Sequence, residues 1–494
     1  MSEVTFSANE RVPIEALLDE PVTVTPNPNG TTPLAAEAVL RTKVPTRVTV
    51  QVLGERPLRH RFEELAEEHR VPILGLYPGT ENRVEIRLTT SEQAVGVDTL
   101  LIATDSLPTF FPTVDIVQAD TARMEDGWTL SGLSIAVEGV FHTYPIIFDV
   151  NGDVRWYADL SSINDMVLPV ERFANGNLLL ARGHTIYEQD MLGTEINRWE
   201  LPGYWIHHDV IEKPDGNLIV AVDKDSFDTK EDHVVELDRT SGVVVNEWDL
   251  RQILDVHRRD YIENANDWFH MNAIWYSEPD DALIISGRNQ GIVKVSRDNR
   301  LLWILAPHKG WGPAGPNAGG HETADFLLTA VDTGGAPYPE PVQQGDADAL
   351  DFSWAWGQHA PLILPSGNLF VFDNGLQRHF SNSEIFSRGV EYVIDEEAMT
   401  VQQAWQYGEE RGPEFYSPII SDVDYLPATG NLLIMPGIVA ALGPRAVVTE
   451  VTYPGKEVVF EASIQLKNRF GNGTLAWGQT DLVYRSERLP LYPR

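Results

Sequence analysis

Between residues 144 and 460 the alternation of apolar and polar positions restarts six times in the same way. A strand of period two is followed by a polar turn and a second strand that closes on a large aromatic side chain. Residues 144–156, 185–199, 233–248, 291–303 and 390–405 all end on Trp, and 447–460 ends on Phe. Period two marks a strand with one buried face, and two such runs about a short turn make a β-hairpin. Five of the hairpins follow a further apolar run that opens on a turn: Asn175-Gly-Asn, Asp215-Gly-Asn, Asp280-Asp-Ala, Ser366-Gly-Asn and Thr429-Gly-Asn. A hairpin with a preceding inner strand, repeated, is the unit of a propeller blade. The pattern therefore predicts an all-β chain with a six-bladed β-propeller over residues 126–494. The first blade lacks inner strands of its own. They are expected from the segment before it and from residues 474–484, which would close the ring.

Residues 1–125 lack the repeat. β-Branched runs at 22–24, 47–53 and 85–89, separated by turn clusters such as Pro26-Asn-Pro-Asn-Gly30, read as a small N-terminal β-sandwich of immunoglobulin or fibronectin type. Residues 59–69 are the one stretch of helical character, and the domain boundary is expected at 120–127. Residues 307–353, rich in Gly, Pro and Asp, interrupt the fifth blade as a lid over the channel or as a surface loop.

Composition narrows the chemistry. The 494 residues hold 73 Asp and Glu against 37 Lys and Arg, a net charge of −36, and no cysteine. Disulfides, thiolate metal sites and cysteine nucleophiles are excluded. A nucleic-acid partner is not expected, since that needs clustered cationic side chains. The acid surplus is expected on the outer surface and loops. The first residues carry no basic segment followed by an apolar core, and the apolar run 432–442 is broken by Pro436 and Gly437. No secretory leader and no membrane span are expected. As written the chain reads as cytoplasmic, and as periplasmic if a leader preceded it.

The candidate site follows from register. Innermost strands line a propeller's channel, so their entry residues converge. Eight residues before the Gly of the Gly-Asn turns stand Leu168, His208, His359 and Asp422, and in the fourth repeat a longer turn brings Asn272 there, with His270 two residues upstream. Arg288 interrupts an apolar strand and needs an anionic partner, and Arg378 after Asp373-Asn-Gly375 is of the same kind. Because strand residues alternate, one of His207 and His208 should face away from the channel, and register favours His208 as the inward one. His233 and His257 read as surface residues. Three histidines could bind a metal, but they come from separate blades, and Arg and Asn beside them suit a tetrahedral oxyanion such as sulfate or phosphate. A neutral imidazole there could attack sulfur or phosphorus, with a second histidine as acid or base.

At these residues the chain resembles the PAPS-independent arylsulfate sulfotransferase family. The carriers are His-His-Asp over 207–209, Asp-Trp-Phe-His-Met-Asn over 267–272, the Ser-Gly-Arg that ends on Arg288, Gly-Gln-His over 357–359, and Asp373-Asn-Gly375 with Arg378 following. The resemblance implies ping-pong transfer of a sulfuryl group from a phenolic sulfate ester to a phenol. On it His359 is the nucleophile that becomes sulfohistidine. On it His270, Asn272 and Arg288 hold the sulfuryl oxygens and His208 is the acid/base; apart from the resemblance, Arg378 and His207 read as further substrate contacts. No cofactor and no metal are implied, and the family suggests a homodimer. Family members are typically exported, and some carry a disulfide near the site that this chain cannot form. Pro361 also stands two residues after His359. A hydrolase or lyase using the same pocket, and a non-catalytic binding scaffold, are the competing readings.

Overall fold

The computed structural model describes residues 9–163, 165–259, 264–381, 385–469, 475 and 477–493. Six antiparallel sheets stand in chain order around one axis. Their innermost strands are Leu482–Leu489, Val170–Arg172, Tyr204–Glu212, Met271–Ser277, His359–Ile363 and Asp422–Leu426, for blades 1 to 6. From blade 3 onward, each of these strands packs against the next around the channel. Every predicted hairpin supplies the third and fourth strands of a blade, and the Gly-Asn runs are second strands rather than innermost ones. The ring closes as expected from the C-terminus: Leu482–Leu489 pairs with Trp128–Val137. Thr474, the first residue assigned to that closing strand, lies outside the described residues, as do the first eight residues of the chain.

The repeat has a physical cause. Each hairpin's final indole N–H donates to the hairpin turn of the following blade. Trp156 reaches the Met191 carbonyl (2.9 Å), Trp199 that of Arg239 (2.8 Å) and Trp248 that of Ser296 (2.9 Å). Trp303 reaches Glu396 Oε1 (3.0 Å) and Trp405 the Pro454 carbonyl (3.0 Å). A large ring fills the wedge between blades, and its buried N–H requires an acceptor. Phe460 has no N–H to place; the Arg488 guanidinium lies 4.4 Å over its ring. The Gly-Asn asparagines act within blades: Asn177, Asn217, Asn368 and Asn431 donate at 2.6–3.0 Å to Glu188, Glu236, Glu391 and Glu450 on the third strands. Those four carboxylates are buried. Part of the acid surplus thus belongs to the interior, not to the surface where it was expected.

The N-terminal unit forms a six-stranded sheet around Val48, Val50, Val52, Val84, Ile86 and Leu88. Residues 59–69 are not helical. They lie in the strand Leu58–Ile73, paired along its length with Ala36–Val52. Phe62, Leu65 and Ala66 imitate helical spacing, but Leu65 is exposed and no core faces such a stripe. The long partner strand instead satisfies the backbone, and Arg70 forks onto Glu37 across the pair (3.0 and 2.7 Å). Val114–Ala119, which precedes the expected boundary, pairs with Val458–Gln465 as the outer strand of blade 6. The insertion adds Thr329–Ala330 in parallel to the outer edge of blade 5 and buries Val342 and Phe352 beside Trp354. It therefore covers an edge. Among the described residues no helix is long and apolar enough to cross a membrane.

Candidate active site

Three adjacent innermost strands carry the candidate histidines, and each is bulged at the site. In blade 3 the pairing steps from Ile206↔Val222 to Val210↔Val220, leaving two extra residues on the inner strand, with His208 at φ +53°. In blade 4 His270 (φ +54°) precedes a bulge between Met271 and Ala273, and in blade 5 Ala360 (φ +51°) sits in a bulge between His359 and Leu362. Side chains with a Cβ rarely adopt this left-handed region, and bulges re-aim side chains where a regular strand would not. The alternation expected to turn one member of the His207–His208 pair away is broken here. Both rings lie beside Glu231, their centroids 5.3 Å apart.

His359 is buried, and its Nδ1 lies 2.7 Å from Asn374 Oδ1 and 3.1 Å from the Gly357 carbonyl. The Asn374 NH2 group donates to the carbonyls of Ser417 and Ile420, both at 2.8 Å. Only its oxygen is left to face the imidazole, so Nδ1 carries the hydrogen and Nε2 keeps its lone pair. Burial, reinforced by the fields of Arg288, His208 and His270, holds this ring well below the usual histidine pKa despite the Asn374 bond. His359 is therefore neutral at pH 7.

His270 is the opposite case. Its Nδ1 lies 2.8 Å from Asp267 Oδ2 and 2.9 Å from Glu231 Oε2. Burial lowers its pKa, but Glu231 and Asp267 outweigh that and raise it to about 9. His208 Nδ1 meets the Tyr484 hydroxyl at 2.9 Å, and its Nε2 lies 3.3 Å from Glu231 Oε1. Arg288 follows the second strand of blade 4 and donates its backbone N–H to the His270 carbonyl (3.0 Å). One pole of the channel thus gathers a neutral imidazole, an imidazolium and a guanidinium, as an anion requires.

The remaining candidates take other places. Asn272 is fully buried and donates to the Gln358 carbonyl (2.8 Å), which Ser286 also meets (3.0 Å). It anchors the backbone beside His359 rather than turning that amide hydrogen to a ligand. Arg378 is 0% exposed, and its terminal Nη1 and Nη2 groups donate to Asp373 Oδ2 (2.8 Å), Ser353 Oγ (2.8 Å) and the Trp354 carbonyl (3.2 Å). It braces the loop, in correction of its reading as a substrate contact. His207 is enclosed, 3.5 Å from Asp223, and burial pulls it down to about 4. It packs as a neutral ring where a substrate contact was expected. His233 is buried between Asp232 and Asp249 rather than on the surface. Asp209 bolts blades together, accepting from Ile274 N–H (2.7 Å) and pairing with Arg485 (2.8 Å). Glu231 carried no signal in the sequence, and Asn374 stood inside a quoted motif without a role. Glu231 also lies close enough to His207 and His208, and to Asp267 and His270, for either trio to hold a metal ion, although its carboxylate is already matched to imidazoles.

Beyond His359, a channel chamber of about 170 Å³ is lined by Glu171, Asp422, Asp424 and Glu487 around Arg485. Burial raises Glu171 and Asp424 to about 7 and Glu487 to about 8, with neighbouring carboxylates adding to the effect. These acids hold protons when folded that the unfolded chain releases near pH 4 to 5. Stability accordingly falls as pH rises from about 5 to 9, each group contributing on the order of 1 kcal/mol or more. His270 acts in the same direction, its contribution being complete below 6.5 and lost as pH passes 9. Calorimetry should show a lower Tm at pH 9 than at pH 6, and Glu487→Gln should shrink the drop.

Fold and site together define a β-propeller protein whose channel holds a buried neutral histidine beside cationic side chains. The chain belongs to the arylsulfotransferase family. The family model Arylsulfotransferase (ASST) matches residues 113–477, and the arylsulfotransferase Ig-like domain matches residues 23–104. Arylsulfate sulfotransferase AssT of Escherichia coli O6:H1 is 28% identical, with 89% of each chain covered, and the protein of that name from Lelliottia amnigena is similar to the same extent.

Proposed function

We propose that this enzyme moves a sulfuryl group from an aryl sulfate ester to a phenol in two displacements at His359, without a nucleotide donor. The observation that carries the reading is the His359–Asn374 bond, which leaves Nε2 as a buried, unprotonated nucleophile. In the first half, Nε2 attacks sulfur, an N–S bond forms and the S–O bond to the aryl group breaks. His208 gives its proton to the departing phenolate oxygen. In the second half, an acceptor phenol returns a proton to His208 while its oxygen attacks sulfur and the N–S bond breaks. Splitting one hard transfer into two easier ones is the gain of covalent catalysis, and a positioned acid typically adds about 10²–10⁴-fold. Arg288 and the His270 imidazolium balance charge on the sulfuryl oxygens, and Asn272 keeps Gln358, hence His359, in place.

Incubation with aryl sulfate and no acceptor, followed by peptide mass mapping under alkaline conditions, tests this directly. An acid-labile SO3 adduct on the peptide containing His359 is expected. No adduct, or one on another residue only, overturns the reading. Arg288→Met should lower kcat/KM by about 10²–10³-fold, as loss of an oxyanion-stabilising group does. Arg288→Lys should recover only part of it, since a point charge cannot reproduce the planar fork.

A further inference from the structure

We propose that Glu231 is a positioning residue for the transfer, a carboxylate that joins His208 of blade 3 to His270 of blade 4 so that the two rings act as one unit. This rests on the function proposed above and assigns the group that prepares its acid and its anion-holding cation. Glu231 ends the connection between the second and third strands of blade 3, away from every motif in the sequence that pointed to the site. Its backbone is left-handed at φ +55°, a conformation that persists only where the surroundings impose it. They do so from both sides. Its N–H donates to Asp223 Oδ1 (2.5 Å), and its carbonyl accepts from the N–H of Met271 (3.0 Å), the residue after His270. The side chain repeats this bridge, with Oε1 3.3 Å from His208 Nε2 and Oε2 2.9 Å from His270 Nδ1.

The proton count gives the bridge its purpose. Glu231 and Asp267 both address Nδ1 of His270, so Nδ1 carries a hydrogen in either charge state of the ring. Nε2 then carries one only when the ring is an imidazolium. His270 can therefore donate to a sulfuryl oxygen only as a cation. The groups that face it are Glu231 and Asp267, which favour that cation, and Arg288, His208, His207 and His359, of which the charged ones oppose it. His208 lies with its ring centroid 5.2 Å away, and its own far side meets the Tyr484 hydroxyl. Glu231 stands between the two rings as the anion that both face, and so offsets positive charge on that side of His270. Burial would push Glu231 toward neutrality, yet His208 and His270 hold it well below the usual carboxylate range.

The test is the pH profile of kcat/KM for aryl sulfate in the full-length enzyme, its Glu231→Gln and Glu231→Asp variants, and Asp267→Asn. Glu231→Gln keeps the shape and removes the charge. Its alkaline limb should move down by at least one pH unit, so that the loss is about threefold or more at pH 8.5, rises toward about tenfold near pH 10 and is smaller at pH 6. Glu231→Asp should restore part of the limb, and Asp267→Asn should shift it in the same direction. A loss of equal size at every pH, or an unmoved limb, overturns the proposal. Should Glu231→Gln not fold, imidazole proton titration of the wild-type enzyme against His270→Gln decides it. A resonance that titrates above pH 8 and disappears in His270→Gln is expected, and its absence from the wild type overturns the proposal. The donor-only adduct separates this from the reading beneath it. An adduct on His359 with an unmoved limb sinks the role of Glu231 alone, and a moved limb without an adduct sinks the displacement at His359 alone.

Discussion

His359→Ala is expected to abolish aryl-sulfate turnover, by about 10⁴-fold or more, because on the proposed mechanism it removes the atom that forms the new bond and leaves only the binding groups. Loss of activity through misfolding is separable from this. The side chain is 5% exposed and its deletion strands Asn374 Oδ1, a cost of about 1–3 kcal/mol, which lowers Tm but leaves a folded chain. The donor-only adduct disappears from the His359 peptide, while a titrated donor still binds, since Arg288 and His270 remain. The comparison with Asn374→Ala sharpens the assignment. That variant keeps the Gly357 carbonyl 3.1 Å from Nδ1 as a substitute acceptor, so its loss should be far smaller, about 10–10²-fold, and the adduct should still form. An Asn374→Ala variant as inactive as His359→Ala would place the chemistry elsewhere. Steady-state kinetics with thermal melts on the same samples measures both.

Asp373→Ala destabilises the protein by about 3–5 kcal/mol, the cost of leaving buried cations without their counter-ion. Asp373 is fully buried, and its Oδ2 meets both Arg378 (2.8 Å) and Arg388 (2.9 Å), themselves at most 1% exposed. Its Oδ1 accepts from the backbone N–H of Trp356 (2.9 Å) and Gly375 (3.0 Å). Those bonds hold the chain on either side of Gly357 and Asn374, so activity should fall even below the melting transition. Arg378→Met distinguishes bracing from substrate contact. A bracing role lowers Tm and changes KM little, whereas a substrate contact would raise KM and leave Tm nearly untouched. Denaturant titration and Michaelis kinetics of the two variants read the difference.

Much of the site was legible because a propeller converts sequence register into spatial convergence. Counting from the Gly-Asn turns brought His208, His359 and Asn272 to one end of three successive blades, where the structure has them. Arg288 was legible as a cation in an apolar strand. Glu231 was not, since its connection has no repeat counterpart and a glutamate in an acidic chain attracts no notice. Arg378 misled for the same reason that Arg288 informed. An arginine in an apolar setting needs an anion, and only the fold shows that Asp373 is already there.

The sequence by itself determined the blades, their number and the family. Hairpin alternation, the closing Trp and the Gly-Asn turn are local patterns that serve neighbouring strands. Tertiary structure decided the bounds of the strand that closes the ring, Leu482–Leu489, and that residues 59–69 extend along a long partner strand. It also decided where the bulges break alternation, so that His207 and His208 both face Glu231. Above all it decided charge. His359, His270 and His207 are the same side chain in the sequence. Burial and partners brought from distant positions make the first a neutral ring, the second a cation and the third packing, because an ion's energy depends on the medium and charges around it rather than on its place in the chain.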